Sequence, residues 1–300
     1  MNKKAFILAA ILLFSLLLGG CEFFSEKYEP KPVSPPFFTV RDESTGGVVY
    51  MLGTMHAAEN GVEYPEEIYK AIDECSIVAV EVDLIALDQN KSAVNEAMKL
   101  LECKTGITAD ILGDDYSEIK RFFAEKGIYN TAFDRYLPVF WSAQLSNKIA
   151  SDCGYYSENG TDRAVIKYAM KNNKDIFEFE SIYEQYKMNS MESPALQAFA
   201  LKDAVNTPYD EQLSMMRELY RAWSEGDTDA LEKLLEGDEI PEELGGDYDE
   251  YYAAMYTDRQ RKMAERISEW LAEGKKVFVA VGAMHFVAEP DILDFLGQRN

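Results

Sequence analysis

The chain has 300 residues, of which 53 are acidic and 30 basic, giving a formal net charge of -23 at neutral pH. That balance argues against nucleic acid as a partner, because phosphate binding needs a basic face; an acidic surface serves solubility instead. With 47% hydrophobic and 12% aromatic residues, the chain can fill the core of one α/β domain that carries a helical insertion.

Met1 to Lys4 is short and positive, Ala5 to Leu18 is an uncharged apolar run, and Leu18-Gly19-Gly20-Cys21 adds small residues before a cysteine. This is the form of a secretory signal over residues 1–20, with an apolar run too short to span a bilayer comfortably. The Leu-Gly-Gly-Cys ending resembles a bacterial lipobox, which implies that Cys21 becomes the acylated first residue of the mature chain. Loss of Lys3 and Lys4 then takes the charge from -23 to -25. Residues 21–36, with Pro30, Pro32, Pro35 and Pro36, read as an extended tether. Lipid on Cys21 and this tether would hold the remaining domain, residues 37–300, at a membrane surface of the cell envelope, outside the cytoplasm. Cys75, Cys103 and Cys153 match no zinc-binding spacing and allow at most one internal disulfide.

Phe37–Val40 and Val48–Leu52 flank a glycine-rich turn and read as a hairpin. A helix is expected near Pro65 to Cys75, then a strand over Ile77–Asp83 whose alternation sets Ile77, Ala79, Glu81 and Asp83 on one face. Leu87 to Lys171 is mostly helical, interrupted near Gly154 to Gly160. Ile176–Glu180 reads as a strand in which Glu178 and Glu180 share a face, as an exposed sheet face would have it. Pro194 to Gly274 is helical again, broken at Gly226-Asp227 and Gly245-Gly246. Val277–Val281 is the last strand, and a short helix starts near Pro290. Strands near both ends with helices between them predict an α/β (α+β) fold: a central mixed sheet built from the N- and C-terminal segments, with a large helical insertion.

The two histidines of the chain each close the same pattern, Gly53-Thr54-Met55-His56 and Gly282-Ala283-Met284-His285, and each pattern follows an apolar strand. If those strands run parallel, the imidazoles meet at the sheet edge where open α/β sheets bind ligands. The glycines are expected to let the backbone turn sharply at each strand end. Imidazole is both a common metal ligand and a common general base. Glu81, a carboxylate in an apolar strand, needs a cation or hydrogen-bond donors. Arg259 falls on an apolar stripe with Met255, Met263, Ile267 and Leu271, so its guanidinium faces the core. It is expected either to pair with Glu81 or to donate to a developing oxyanion.

His56, Glu81, Arg259 and His285 together resemble the TraB/GumN family, whose relatives include the Tiki proteases and, more distantly, the erythromycin esterases. Gly160-Thr161-Asp162 is similar to that family's Gly-x-Asp, and Phe179-Glu180-Ser181 with Gln185 is similar to its Leu-Glu-Thr with a trailing Gln. Trp223-Ser224-Glu225-Gly226-Asp227 is similar to its Trp-x-x-Gly-Asp, and Arg259-Gln260 to its Arg-Asn. The resemblance runs from Phe37 to Leu296. It departs at Ala58 and Ala288, where the family often has glycine, at Gln260, and at the end, where the chain stops at Asn300 before a terminal strand that the family usually adds. The resemblance implies metal-dependent hydrolysis of peptide or protein substrates, with manganese or cobalt, or else zinc, held by His56 and His285, and with Glu81 as a further ligand or as general base. Two further readings stay open: a metal-free esterase-type hydrolase in which a histidine activates water, and a surface-anchored lipoprotein that binds metal or peptide without turnover.

Overall fold

The computed structural model describes residues 28–235 and 240–297; the expected signal segment, Cys21, residues 22–27 of the tether and the terminal Asn300 lie outside them. Among the described residues there are seven strands: β1 (Lys31–Pro32), β2 (Phe37–Asp42), β3 (Gly47–Thr54), β4 (Val62–Glu63), β5 (Ile77–Val80), β6 (Asp175–Glu178) and β7 (Lys276–Gly282). Five of them form one sheet in the order β2-β3-β7-β5-β6. β2 pairs antiparallel with β3, and every other pairing in the sheet is parallel. The sheet is therefore mixed and drawn from both ends of the chain, as expected.

β3 is buried along its whole length, which explains its unbroken apolar run: a parallel strand covered on both faces has no wet side to encode. Val48, Tyr50 and Leu52 pack into the larger core with the helices Glu66–Glu74 and Thr161–Lys171, while Val49 and Met51 face the helix Asp258–Ala272 through Met263, Ile267 and Trp270. The intervening helices form a layer around Trp141 and Trp223, both fully buried. That layer is pinned to the sheet where it matters for function, since the Trp223 indole donates to the Gly53 carbonyl at 2.9 Å.

Two expectations need correction. Residues 31–36, read as the end of a tether, pack onto the domain: β1 pairs with β4, Val33 is 6% exposed, and the Pro36 carbonyl accepts from Gly53 N at 2.8 Å. The strand expected to reach Asp83 ends at Val80, so Glu81 stands just past it. Asp83 instead caps the helix Leu84–Gln89, accepting from Ile85 N and Ala86 N. The three cysteines at 75, 103 and 153 are free.

Candidate functional site

The parallel strands β3, β7, β5 and β6 are neighbours and end on the same side of the sheet. Just past their carboxyl ends stand His56, His285, Glu81 and Glu180 in turn. The register aligns Gly53 with Val281 and Thr54 with Gly282, so the two Gly-x-x-His turns leave adjacent strands together. The sheet edge thereby gathers four ionisable side chains that lie far apart in sequence.

The glycines in these turns serve close approach, which corrects the expectation of a sharp, glycine-only backbone. Neither Gly53 nor Gly282 has positive φ. A Cβ on Gly53 would lie 3.1 Å from Ala283 Cα, and one on Gly282 would lie 3.2 Å from Glu81 Oε1. Gly160 is tighter still, since a Cβ there would come within 2.3 Å of the His56 carbonyl oxygen. Side chains at these positions would push the histidine turns off their partners.

His56 is held from behind. Its Nδ1 lies 2.9 Å from Asp162 Oδ2, and Asp162 Oδ1 accepts from Thr54 Oγ1 at 2.8 Å. Asp162 sits in the first turn of the helix Thr161–Lys171, where the dipole favours an anion. The hydroxyl of Tyr64 donates to Thr161 Oγ1 at 3.1 Å, and Thr161 N donates to the Met55 carbonyl, so the turn is clipped to the helix. Burial works against a charge on His56, but the Asp162 carboxylate outweighs it and holds the imidazole up to about 9.

His285 is different. It is 3% exposed, its Nδ1 has no hydrogen-bond partner among the described residues, and its Nε2 lies 3.7 Å from Glu81 Oε1, beyond a hydrogen bond. Burial and then the Arg259 charge push its pKa down to about 3. The ring is neutral at any physiological pH. Tyr256 packs against it with ring centroids 6.3 Å apart.

Burial opposes ionisation of Glu81, yet Arg259 above all holds the acid down to about 2. Glu81 Oε1 accepts from Gly282 N at 2.7 Å, and Oε2 accepts from Arg259 Nη2 at 2.6 Å and Gln185 Nε2 at 3.1 Å. Arg259 also grips Glu180 through Nε at 2.6 Å and Nη2 at 2.9 Å, and its Nη1 donates to Met255 O at 3.1 Å. With four of its five N–H groups engaged, Arg259 is a partner of the carboxylates Glu81 and Glu180 in this structure. The neighbouring Gln260 donates to the carbonyls of Ala288 and Pro290, so it holds the loop after His285 with the same two amide protons an asparagine would offer.

The four expected site residues stand together: His56, His285 and Glu81 just past the ends of neighbouring strands, and Arg259 bonded to Glu81. Sequence reasoning missed Asp162 and Glu180 as members of the site. Glu180 reads as an exposed face because alternation assumes a continuing strand, whereas β6 ends at Glu178. Asp162 reads as part of a helix start, and only the fold turns that helix toward His56. Among the described residues, no three His, Cys, Asp or Glu side chains converge as a preformed ion site would.

The sequence model of the TraB/PrgY/gumN family matches residues 36–300. No curated protein and no solved structure matches the chain. A match across that much of its length means that the chain belongs to the TraB/PrgY/gumN family.

Proposed function

We propose that this member of the TraB/PrgY/gumN family is a metal-dependent hydrolase of peptide bonds, as the likeness to Tiki proteases suggests, with its reaction centre at His56, His285 and Glu81. The observation that carries the reading is the unequal treatment of two imidazoles presented by adjacent parallel strands. His56 has a carboxylate behind Nδ1, which directs Nε2 outward in the way that orients a ligand. His285 is buried, neutral and without a hydrogen bond at Nδ1. An imidazole so reluctant to take a proton is a poor general base at neutral pH, but a ready ligand for a cation.

The donor set of two imidazoles and one carboxylate suits manganese, cobalt or zinc. A divalent ion bound there would polarise a substrate carbonyl and ease deprotonation of water. The chain's own residues do the rest. Glu81 Oε1 accepts a hydrogen bond from Gly282 N and lies 3.7 Å from His285 Nε2. Arg259 fixes the other oxygen of Glu81 and neutralises Glu180, which removes repulsion against negative charge developing on a carbonyl oxygen. His56, held by Asp162 with its pKa up at about 9, would have to give up its proton to serve as a ligand.

Elemental analysis together with cleavage of a peptide library tests the reading. Bound metal and cleavage are both expected in the wild type, with His56→Ala and His285→Ala each lowering cleavage by about 10²–10⁴-fold and emptying the site of metal. Cleavage by metal-free protein, unaffected by chelator, would sink the metal reading in favour of esterase-type chemistry as in the erythromycin esterases. Metal binding with no cleavage of any library would leave a binding lipoprotein. Anchoring through Cys21 has its own check: incorporation of a palmitate analogue, lost in Cys21→Ala.

A further inference from the structure

The helix Ile182–Met191 links the cluster at Glu81 to a second buried carboxylate. Gln185 on this helix bonds Glu81; Glu192 follows the helix's last residue, seven positions and on the order of 10 Å further along the axis. Glu192 is 7% exposed. Among the described residues no hydrogen bond or ion pair reaches its carboxylate, although its backbone carbonyl is held by Gln197 Nε2 at 2.7 Å. It lines a cavity of about 60 Å³ together with Asp247, Glu250, Tyr251, Met188 and Met191, and no lysine or arginine lines it.

A buried carboxylate without a partner is costly. Burial alone drives this acid up to about 8. Two more acids, Asp247 and Glu250, line the same cavity. A cation inside the cavity would relieve that cost.

We propose that this cavity binds a primary ammonium group on an aliphatic stem, as borne by a lysine side chain or a peptide amino terminus. Glu192 meets the ammonium, Asp247 and Glu250 lie at the same cavity, Tyr251 offers an aromatic ring to the cation, and Met188 and Met191 line the stem. The volume admits about four water-sized spheres, which is room for an ammonium and one or two methylenes. If the hydrolase reading holds, the cavity would select substrates with such a group on the order of 10 Å from Glu81; that consequence rests on the reading, whereas the binding does not.

The test is calorimetric titration of the full chain at pH 8 with three probes: Nα-acetyl-lysine amide, its uncharged analogue Nα-acetyl-norleucine amide, and glycinamide. One of the two ammonium probes is expected to bind about ten-fold more tightly than the norleucine compound. A tighter lysine probe assigns a side chain, and a tighter glycinamide assigns an amino terminus. Glu192→Gln is expected to erase the preference, with a thermal melt confirming that the variant folds. Groups facing Glu192 are Asp247, Glu250 and Tyr251, with Arg259 beyond Tyr251. Since Glu192 must ionise to hold the cation, the lysine probe, itself charged throughout, is expected to weaken about ten-fold from pH 8 to pH 6, to the affinity of the norleucine compound. Equal affinity of the wild type for charged and uncharged probes, or a preference that survives Glu192→Gln, overturns the proposal whatever becomes of the hydrolase.

Discussion

One helix, Ile182–Met191, has a buried glutamate near each end, and the two behave in opposite ways. Near its start, Glu81 lies against Arg259, Gln185 and the Gly282 amide and is held ionised. Past its end, Glu192 is buried to a similar degree, 7% exposed in both cases, yet its acid is pushed up to about 8. Equal burial with opposite outcomes means that partners, not depth, set the protonation state of a carboxylate. A compensated carboxylate builds a rigid site; an uncompensated one awaits a ligand.

The comparison can be broken most severely at Arg259. Arg259→Met leaves Glu81 and Glu180 buried without a countercharge, and urea unfolding at pH 7 is expected to show a loss of about 3–5 kcal/mol. A loss no larger than that of a surface substitution would mean that these carboxylates are not truly desolvated.

The other end should respond with the opposite sign. Glu192 has a folded pKa above its unfolded value, so its burial costs nothing below about pH 4.5 and progressively more as pH rises toward 8. Glu192→Gln is therefore expected to stabilise the protein by about 2 kcal/mol at pH 8 and to do nothing at pH 4.5, as read by thermal melts at the two pH values. Destabilisation at pH 8 would reveal a partner for the carboxylate.

A finer probe is the His56–Asp162 pair. The folded pKa of His56 lies above the ordinary 6.5, at about 9, so the pair's contribution is fully present below pH 6.5 and lost as pH rises through 9. With His56 15% exposed, the change is expected to be on the order of 1 kcal/mol. Asp162→Asn should flatten this slope in a pH series of melts; an unchanged slope would place the titration elsewhere.

Much of this was legible in the sequence. Apolar runs bounded by glycine marked β3 and β7, because strands buried on both faces must be apolar throughout. The repeated Gly-x-x-His pattern pointed to paired strand ends, and the four-residue spacing around Arg259 put it in the core, where it is 4% exposed. What escaped were partnerships across long separations. Glu180 and Asp162 lie 79 and 106 residues from Arg259 and His56, and no local period records such pairings. The same holds for Glu192, whose isolation is a property of what surrounds it.

The sequence by itself determined which residues are apolar, where the main strands of the sheet lie, and that two imidazoles end matching strands, since these follow from local periodicity and backbone preference. Only the tertiary structure decided that β7 inserts between β3 and β5, which sets His285 between His56 and Glu81 along the sheet edge. It also decided which buried acid meets a guanidinium and which meets an empty cavity. Charge compensation depends on distances of a few ångströms between segments far apart in the chain, and those distances exist only once the chain has folded.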